Sequence, residues 1–367
     1  MYYNILKGNK VPAYLQIYKQ IRKNIINEVY AYGSKLPSKR TLADEIGVST
    51  ITVEHAYAML CDEGYIEAKV RSGYFVRFRC SDGFVSNPKE QVYHSSINNS
   101  QTSTCMRFPF SVLGRAVRKV TADLGEAILL PSPNFGCMEL REAIKNYLAR
   151  SRNITVTVEQ VIVGSGAEYL YGLLAKFLGR DTIYAIEEPS YQKIEQVYMA
   201  EDLVIEKLKL TPDGIDSMAL QSTKASVLHI SPYRSFPSGV SASISKRWEY
   251  IRWVNGGDRY IIEDDFESEF SVARSSETTV FSLATKDNVI YMNSFSQTIS
   301  PSLRVGYMIL PSTLVKSFEA RVGFCSCPVP TLVQYVLTEL IDGGSFERHI
   351  NRVRRCKRKE LNNQKQK

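Results

Sequence analysis

A chain of 367 residues, 44% hydrophobic and 23% charged, is ordinary soluble material with room for two or three packed cores. Its formal net charge of +8 is uneven: residues 1–80 hold 12 Lys or Arg against 7 acids, residues 347–367 hold 9 against 2, and the middle is net acidic. Two basic ends point to a polyanionic partner, although the C-terminal run also reads simply as a solvated helix end. No apolar run reaches the length of a membrane span, and the first residues carry no signal-peptide pattern. Seven scattered cysteines with few histidines nearby leave no zinc site, so the expectation is a cytoplasmic protein with free thiols and no metal.

Between residues 11 and 27 the apolar side chains Leu15, Ile17, Ile21, Ile25 and Ile26 recur near helical spacing with Pro12 in the first turn, which predicts a helix. Ser38 then caps a second helix that Gly47 ends, and Ser49 caps a third, with Val53, Ala56, Tyr57 and Leu60 as its buried stripe and Gly64 as its stop. Two short helices joined by a glycine-containing turn predict a helix-turn-helix. Residues 65–70 and 74–77 read as strands joined by Arg71-Ser72-Gly73, a hairpin wing.

Leu36-Pro37-Ser38-Lys39-Arg40, Leu42-Ala43 followed by Gly47-Val48-Ser49, and Gly73-Tyr74-Phe75-Val76 stand in order and at family spacing, so residues 10–79 resemble the GntR winged helix. The resemblance implies a double-stranded DNA operator as partner. By it, Ser38, Lys39 and Arg40 approach phosphates, Ser49, Thr50, Thr52 and His55 lie on the exposed start of the recognition helix in the major groove, and Arg71 and Gly73 sit at the wing tip. Thr50 stands where that family usually has Arg, which implies different contacts there.

Residues 95–104 are almost wholly polar and without apolar periodicity, so 81–107 reads as a flexible linker between a DNA-binding segment, 1–80, and a large segment, 108–355, followed by a basic tail, 356–367. In the large segment helices (138–150, 166–178, 190–200, 244–256) alternate with short apolar strands (160–163, 182–186, 203–207, 226–230, 259–263, 288–292). This predicts an α/β fold, an open and mostly parallel sheet with helices on both faces, whose ligands bind at the carboxyl ends of the strands.

The polar motifs fall at those ends. Gly164-Ser165-Gly166-Ala167 is a small-residue turn before a helix, suited to a phosphate but equally readable as a tight turn. Glu187-Glu188-Pro189-Ser190-Tyr191 follows the next strand, Ser231-Pro232-Tyr233-Arg234-Ser235-Phe236-Pro237-Ser238-Gly239 a later one, and Ile261-Ile262-Glu263-Asp264 ends another in acids. Val289-Ile290-Tyr291-Met292 delivers Ser294, Ser296, Gln297 and Arg304, whose hydroxyls and guanidinium suit an anion. Together these motifs resemble the MocR subfamily of GntR transcription regulators, whose bodies are similar to fold-type I pyridoxal-phosphate enzymes; the resemblance covers nearly all of residues 10–355.

That resemblance implies a phosphate cup of Ser165, Gly166, Ala167, Ser294, Ser296 and Arg304, with Tyr191 near the cofactor ring and Asp264 beside its pyridine nitrogen. The family loop reads Ser-x-Ser-Lys, and its Lys holds the cofactor as a Schiff base. Here Gln297 takes that position; an amide nitrogen is not nucleophilic, so pyridoxal phosphate, if bound, is expected to be held without a covalent bond and no catalytic residue is assigned. Phe266 replaces a usual Tyr, and Arg234 and Ser235 a usual His and Gln. The family also implies pairing into a homodimer and a small C-terminal domain with a carboxylate-gripping Arg, which the sequence, stopping at Lys367, is expected to lack. These departures favour a DNA-binding regulator whose body senses an unidentified small-molecule effector or mediates dimerisation. A working aminotransferase and a truncated, non-functional family member are the alternatives.

Overall fold

The computed structural model describes residues 11–69, 72–78, 107–272 and 278–365. The chain divides into two compact units, Met1–Ile97 and Asn98–Lys367, which are taken separately. Most of the linker expected at 81–107 lies outside the described residues.

The first unit comprises α1 (Ala13–Ile26), α2 (Lys39–Ile46), α3 (Thr50–Asp62), β1 (Ile66–Lys69) and β2 (Gly73–Val76). Both serine caps form as their positions dictate: Ser38 Oγ accepts from the Thr41 amide at 3.1 Å and Ser49 Oγ from the Thr52 amide at 3.2 Å. Gly47 ends α2 at φ +74°, a left-handed turn that glycine enters without strain. Ile17 and Ile21 of α1 meet Leu42, Val53, Tyr57 and Leu60 in one core, closed by Ile66 and Val76 of the antiparallel wing. The buried Tyr57 phenol is satisfied by donating to the Pro37 carbonyl at 2.8 Å, which ties α3 to the turn before α2.

The second unit runs α4 (Phe110–Leu124), α5 (Met138–Arg152), β3 (Val161–Gly164), α6 (Ala167–Leu178), β4 (Ile183–Glu188), α7 (Gln192–Ala200), β5 (Val204–Thr211), β6 (Gly214–Ile215), α8 (Ser217–Ser222), β7 (Val227–Ile230), α9 (Ile244–Asn255), β8 (Tyr260–Asp264), α10 (Val280–Leu283), β9 (Val289–Ser294), β10 (Gly306–Ile309), α11 (Ser312–Val322), α12 (Thr331–Asp342) and α13 (Ser345–Lys365). Its strands form one sheet in the order β3-β10-β9-β8-β7-β4-β5-β6. The five strands β9, β8, β7, β4 and β5 are parallel, whereas β10 runs antiparallel between β3 and β9, and β6 antiparallel on β5.

Successive residues of the central strands turn to opposite sides, which explains the unbroken apolar runs. Val161, Val163, Tyr291 and Tyr307 pack with Leu140 and Ile144 of α5 and Leu337 of α12. Ile162, Ile290 and Met308 pack on the other face with Leu170 and Leu174 of α6 and Phe318 of α11. Phe346, Ile350 and Val353 anchor α13 to the first of these cores. The helix α13 runs without a break from Ser345 to Lys365 and so includes the basic residues Lys357, Arg358 and Lys359. Among the described residues no helix is long and apolar enough to cross a membrane.

Candidate functional site

In the first unit the sequence-predicted DNA contacts gather on the starts of α2 and α3. Ser38 and Ser49 spend their oxygens on capping, while Arg40, Thr50 and His55 are exposed and Thr52 is half-buried. Gly73 begins β2 at φ +104°, where a Cβ would stand 3.1 Å from Lys35 Cε; Arg71 lies outside the described residues. Lys39 is not simply presented to solvent: its Nζ donates to Glu54 Oε1 at 2.5 Å, joining α2 to α3. An exposed bridge of this kind contributes little to stability, so a phosphate can take the lysine at little cost.

In the second unit the carboxyl ends of β3, β4, β7, β8 and β9 surround a cavity of about 410 Å³. Eight of the nine sequence-predicted cofactor residues line it: Gly166, Ala167, Tyr191, Asp264, Ser294, Ser296, Gln297 and Arg304. Ser165 belongs to the same turn but does not line the cavity. Glu168, Tyr171 and Lys193 line it as well and were missed, because nothing in their local sequence marks them.

Gly166 takes φ +82° so that β3 can turn into α6, and Gly166, Ala167 and Glu168 line the cavity at this turn. A Cβ on Gly306 would stand 3.3 Å from the Gly166 backbone, so this glycine lets the Arg304 loop lie directly against the turn. Arg304, itself at φ +46°, places a terminal nitrogen 3.2 Å from Glu168 Oε2, and Lys193 Nζ donates to Glu168 Oε1. Lys193 first, and Arg304 after it, hold the Glu168 carboxyl below its usual range; in return Glu168 pushes the Lys193 ammonium up.

Asp264, buried at the end of β8, lines the same cavity. Tyr171 donates its hydroxyl to Asp264 Oδ2, and His229 Nε2 lies 3.9 Å from the same oxygen while its Nδ1 meets the Tyr198 hydroxyl at 2.7 Å. The two departures at residues 234 and 235 have partners of their own: Arg234 pairs with Glu267 at 3.3 Å and Ser235 donates to the buried Glu187.

Burial pushes the Glu187 carboxyl up to about 8. The unfolded chain releases this proton near the ordinary glutamate value and the fold keeps it, so raising the pH between the two favours unfolding. The unfolding temperature is expected to drop by a few degrees from about pH 5 to about pH 8. Burial pushes the Glu263 carboxyl up to about 8 as well, so Glu187→Gln, neutral throughout, is expected to lessen that slope without abolishing it, and an unchanged slope would contradict the assignment.

Beneath the cavity the acids that follow Asp264 are buried and not solvated. Arg152 of α5 lies 3.4 Å from Asp265 and 3.6 Å from Glu269, Tyr291 donates to Asp265 at 2.7 Å, and Asn293 to Glu269 at 2.6 Å. This network joins the end of β8 to the end of β9, the two strands that carry Asp264 and Ser294.

A winged helix-turn-helix together with an α/β body whose strand ends enclose a polar cavity defines a transcription regulator built on an aminotransferase fold. Residues 13–76 match the bacterial regulatory proteins of the gntR family, and residues 107–360 match aminotransferase class I and II. The chain belongs to the GntR-type regulators of the MocR kind, with an aminotransferase-like domain. It is 30% identical over 365 residues to the uncharacterized HTH-type transcriptional regulator YdeL of Bacillus subtilis, covering 95% of this chain and 78% of that one. It is 26% identical to the probable rhizopine catabolism regulatory protein MocR of Rhizobium meliloti, over 94% of this chain and 75% of the relative. With the pyridoxine biosynthesis regulator PdxR of Corynebacterium glutamicum the identity is 28%, over 94% and 76%. Among solved structures, an archaeal alanine:glyoxylate aminotransferase superposes with a TM-score of 0.60 at 22% identity, over 66% of this chain and 62% of that one. The Thermus thermophilus α-aminoadipate aminotransferase LysN, complexed with N-(5'-phosphopyridoxyl)-L-leucine, gives 0.60 at 26%, over 68% and 64%. The chain thus spans less than two thirds of these two enzymes' length.

Proposed function

We propose that the body is a ligand-sensing domain that holds pyridoxal phosphate reversibly and does not catalyse transamination, while the first unit binds an operator. The observation that carries this reading is the composition of the cavity: the start of α6, Ser294, Ser296 and Arg304 line it together with the buried Asp264 carboxylate, and Gln297 lies in the loop between Ser296 and Arg304. The amides at the start of α6, the hydroxyls of Ser294 and Ser296 and the Arg304 guanidinium suit a phosphate dianion. Asp264 suits a protonated ring nitrogen, Tyr191 a ring face, and Ser165 supports the turn. Bound there, the cofactor would supply an aldehyde and an electron-withdrawing ring. Gln297 can hydrogen-bond to such a ligand but forms no bond with carbon. The cavity does contain one amine, Lys193, but its pairing with Glu168 keeps it an ammonium, which is not a nucleophile.

For the first unit, Arg40→Ala is expected to weaken binding to all duplexes and to lower the slope of log affinity against log salt by about one. Wild-type affinity across salt concentrations in this variant would remove Arg40 from the interface. Pairing of two chains belongs to the same reading, since helix-turn-helix operators are usually paired half-sites. Sedimentation at micromolar concentration showing only monomer would remove it.

A further inference from the structure

The exposed face of α3 has an unusual chemistry for a helix that reads DNA. Val53, Ala56, Tyr57 and Leu60 are fully buried, so the residues left to solvent are Thr50, Ile51, Glu54, His55 and Ala58, with Asp62 at the far end of the helix. No Lys or Arg occurs anywhere in α3. The commonest specific contact to a base, a guanidinium or ammonium on guanine O6 and N7, is therefore unavailable to this helix. The charged residues exposed on α3 are the acids Glu54 and Asp62, and Lys39 holds the Glu54 carboxylate at 2.5 Å.

What the helix offers in place of a cation is an aliphatic group. Ile51, the second residue of α3, is 63% exposed, more than Val29 (49%) or Tyr32 (44%), the other large apolar side chains left in solvent among the described residues of the first unit. It follows directly on the capped turn of Ser49, and the first residues of such a helix are those that reach base edges. In the major groove a single base feature rewards an aliphatic contact, the C5 methyl of thymine. We propose that Ile51 is a specificity-determining residue that reads a thymine methyl in each half-site. The branched side chain is stiff at χ1, so it meets the methyl without losing much freedom, and it offers no hydrogen bond to any other base. Thr50, beside it, has a hydroxyl in place of a long cation and does not crowd the approach.

The proposal rests on the placement of α3 in the major groove, and the experiment separates the two. The full chain is used to select operators from a randomised duplex pool, and each thymine of the selected duplex is replaced in turn by deoxyuridine, which lacks only the methyl. One thymine in each half-site is expected to be sensitive, its replacement weakening binding about three- to fivefold, the worth of one apolar carbon removed from water. In Ile51→Ala that difference is expected to vanish, with binding to the deoxyuridine duplex nearly unchanged; because the side chain is exposed, the thermal unfolding of the variant should match wild type. If no thymine is sensitive, or if Ile51→Ala still discriminates as the wild type does, Ile51 is not the reader. If no operator is enriched at all, the placement of α3 falls, and the proposal with it.

Discussion

Gln297→Lys is expected to gain covalent attachment of pyridoxal phosphate, seen as a mass increase at residue 297 that borohydride makes permanent. The substitution puts a primary amine on the wall of a cavity already lined by Ser294, Ser296, Arg304 and Asp264, the groups proposed to hold the cofactor's phosphate and ring. Unlike Lys193, the new amine would have no carboxylate already known to hold it, and burial against the ligand would lower its basicity toward the nucleophilic form. The effect is close to all or none, because an amide cannot be converted into an attachment point by any change of conditions. Should the variant bind the cofactor in no form, the cup is not a phosphate site, and the body would then act only as a scaffold.

The second large effect belongs to Arg152. Burial pushes the carboxyls of Asp265 and Glu269 up, and Arg152 draws them back toward the charged form. Arg152→Met leaves two buried acids without their countercharge, an expected loss of about 3–5 kcal/mol, because removing one partner strands the others. For a body of this size that corresponds to a fall of roughly 10 °C in unfolding temperature. Adding Asp265→Asn and Glu269→Gln should recover more than half of the loss, since the three groups act as one unit. A single variant within about 1 kcal/mol of wild type would show that the network is solvated in solution. Because Asn293 binds Glu269 and precedes Ser294, the single variant should also weaken the phosphate cup.

These two sites differ in how far the chain itself announces them. Ser38, Gly47, Ser49 and the Gly164–Ala167 turn act through neighbours within a few residues, so their residue types suffice to place them. Most of the parallel strands could be read because they carry a short apolar run beside a helix, as Ile183 to Ile186 of β4 and Tyr260 to Ile262 of β8 do. β10 was not expected: it is four residues long, follows directly on the 301–304 loop, and its apolar side chains resemble a continuation of that loop. The pairings of Glu168 with Lys193, Lys39 with Glu54, and Arg152 with Asp265 join residues 15 to 113 positions apart. Only the packing of one helix on another, or of a helix on the sheet, brings them together, and no periodicity encodes that. The exposure of Ile51 is of the same kind, since an isoleucine in a helix reads by default as core.

The claim that the body holds its cofactor without a covalent bond is tested most directly on the unaltered chain. Purified protein is loaded with pyridoxal phosphate, treated with borohydride, freed of excess ligand, and mapped by mass after proteolysis. The expected result is saturable binding that washes away, with no adduct on any residue lining the cavity. A stoichiometric, permanent adduct on Lys193, or on any other cavity residue, would contradict the account and return the body to the enzymes it resembles.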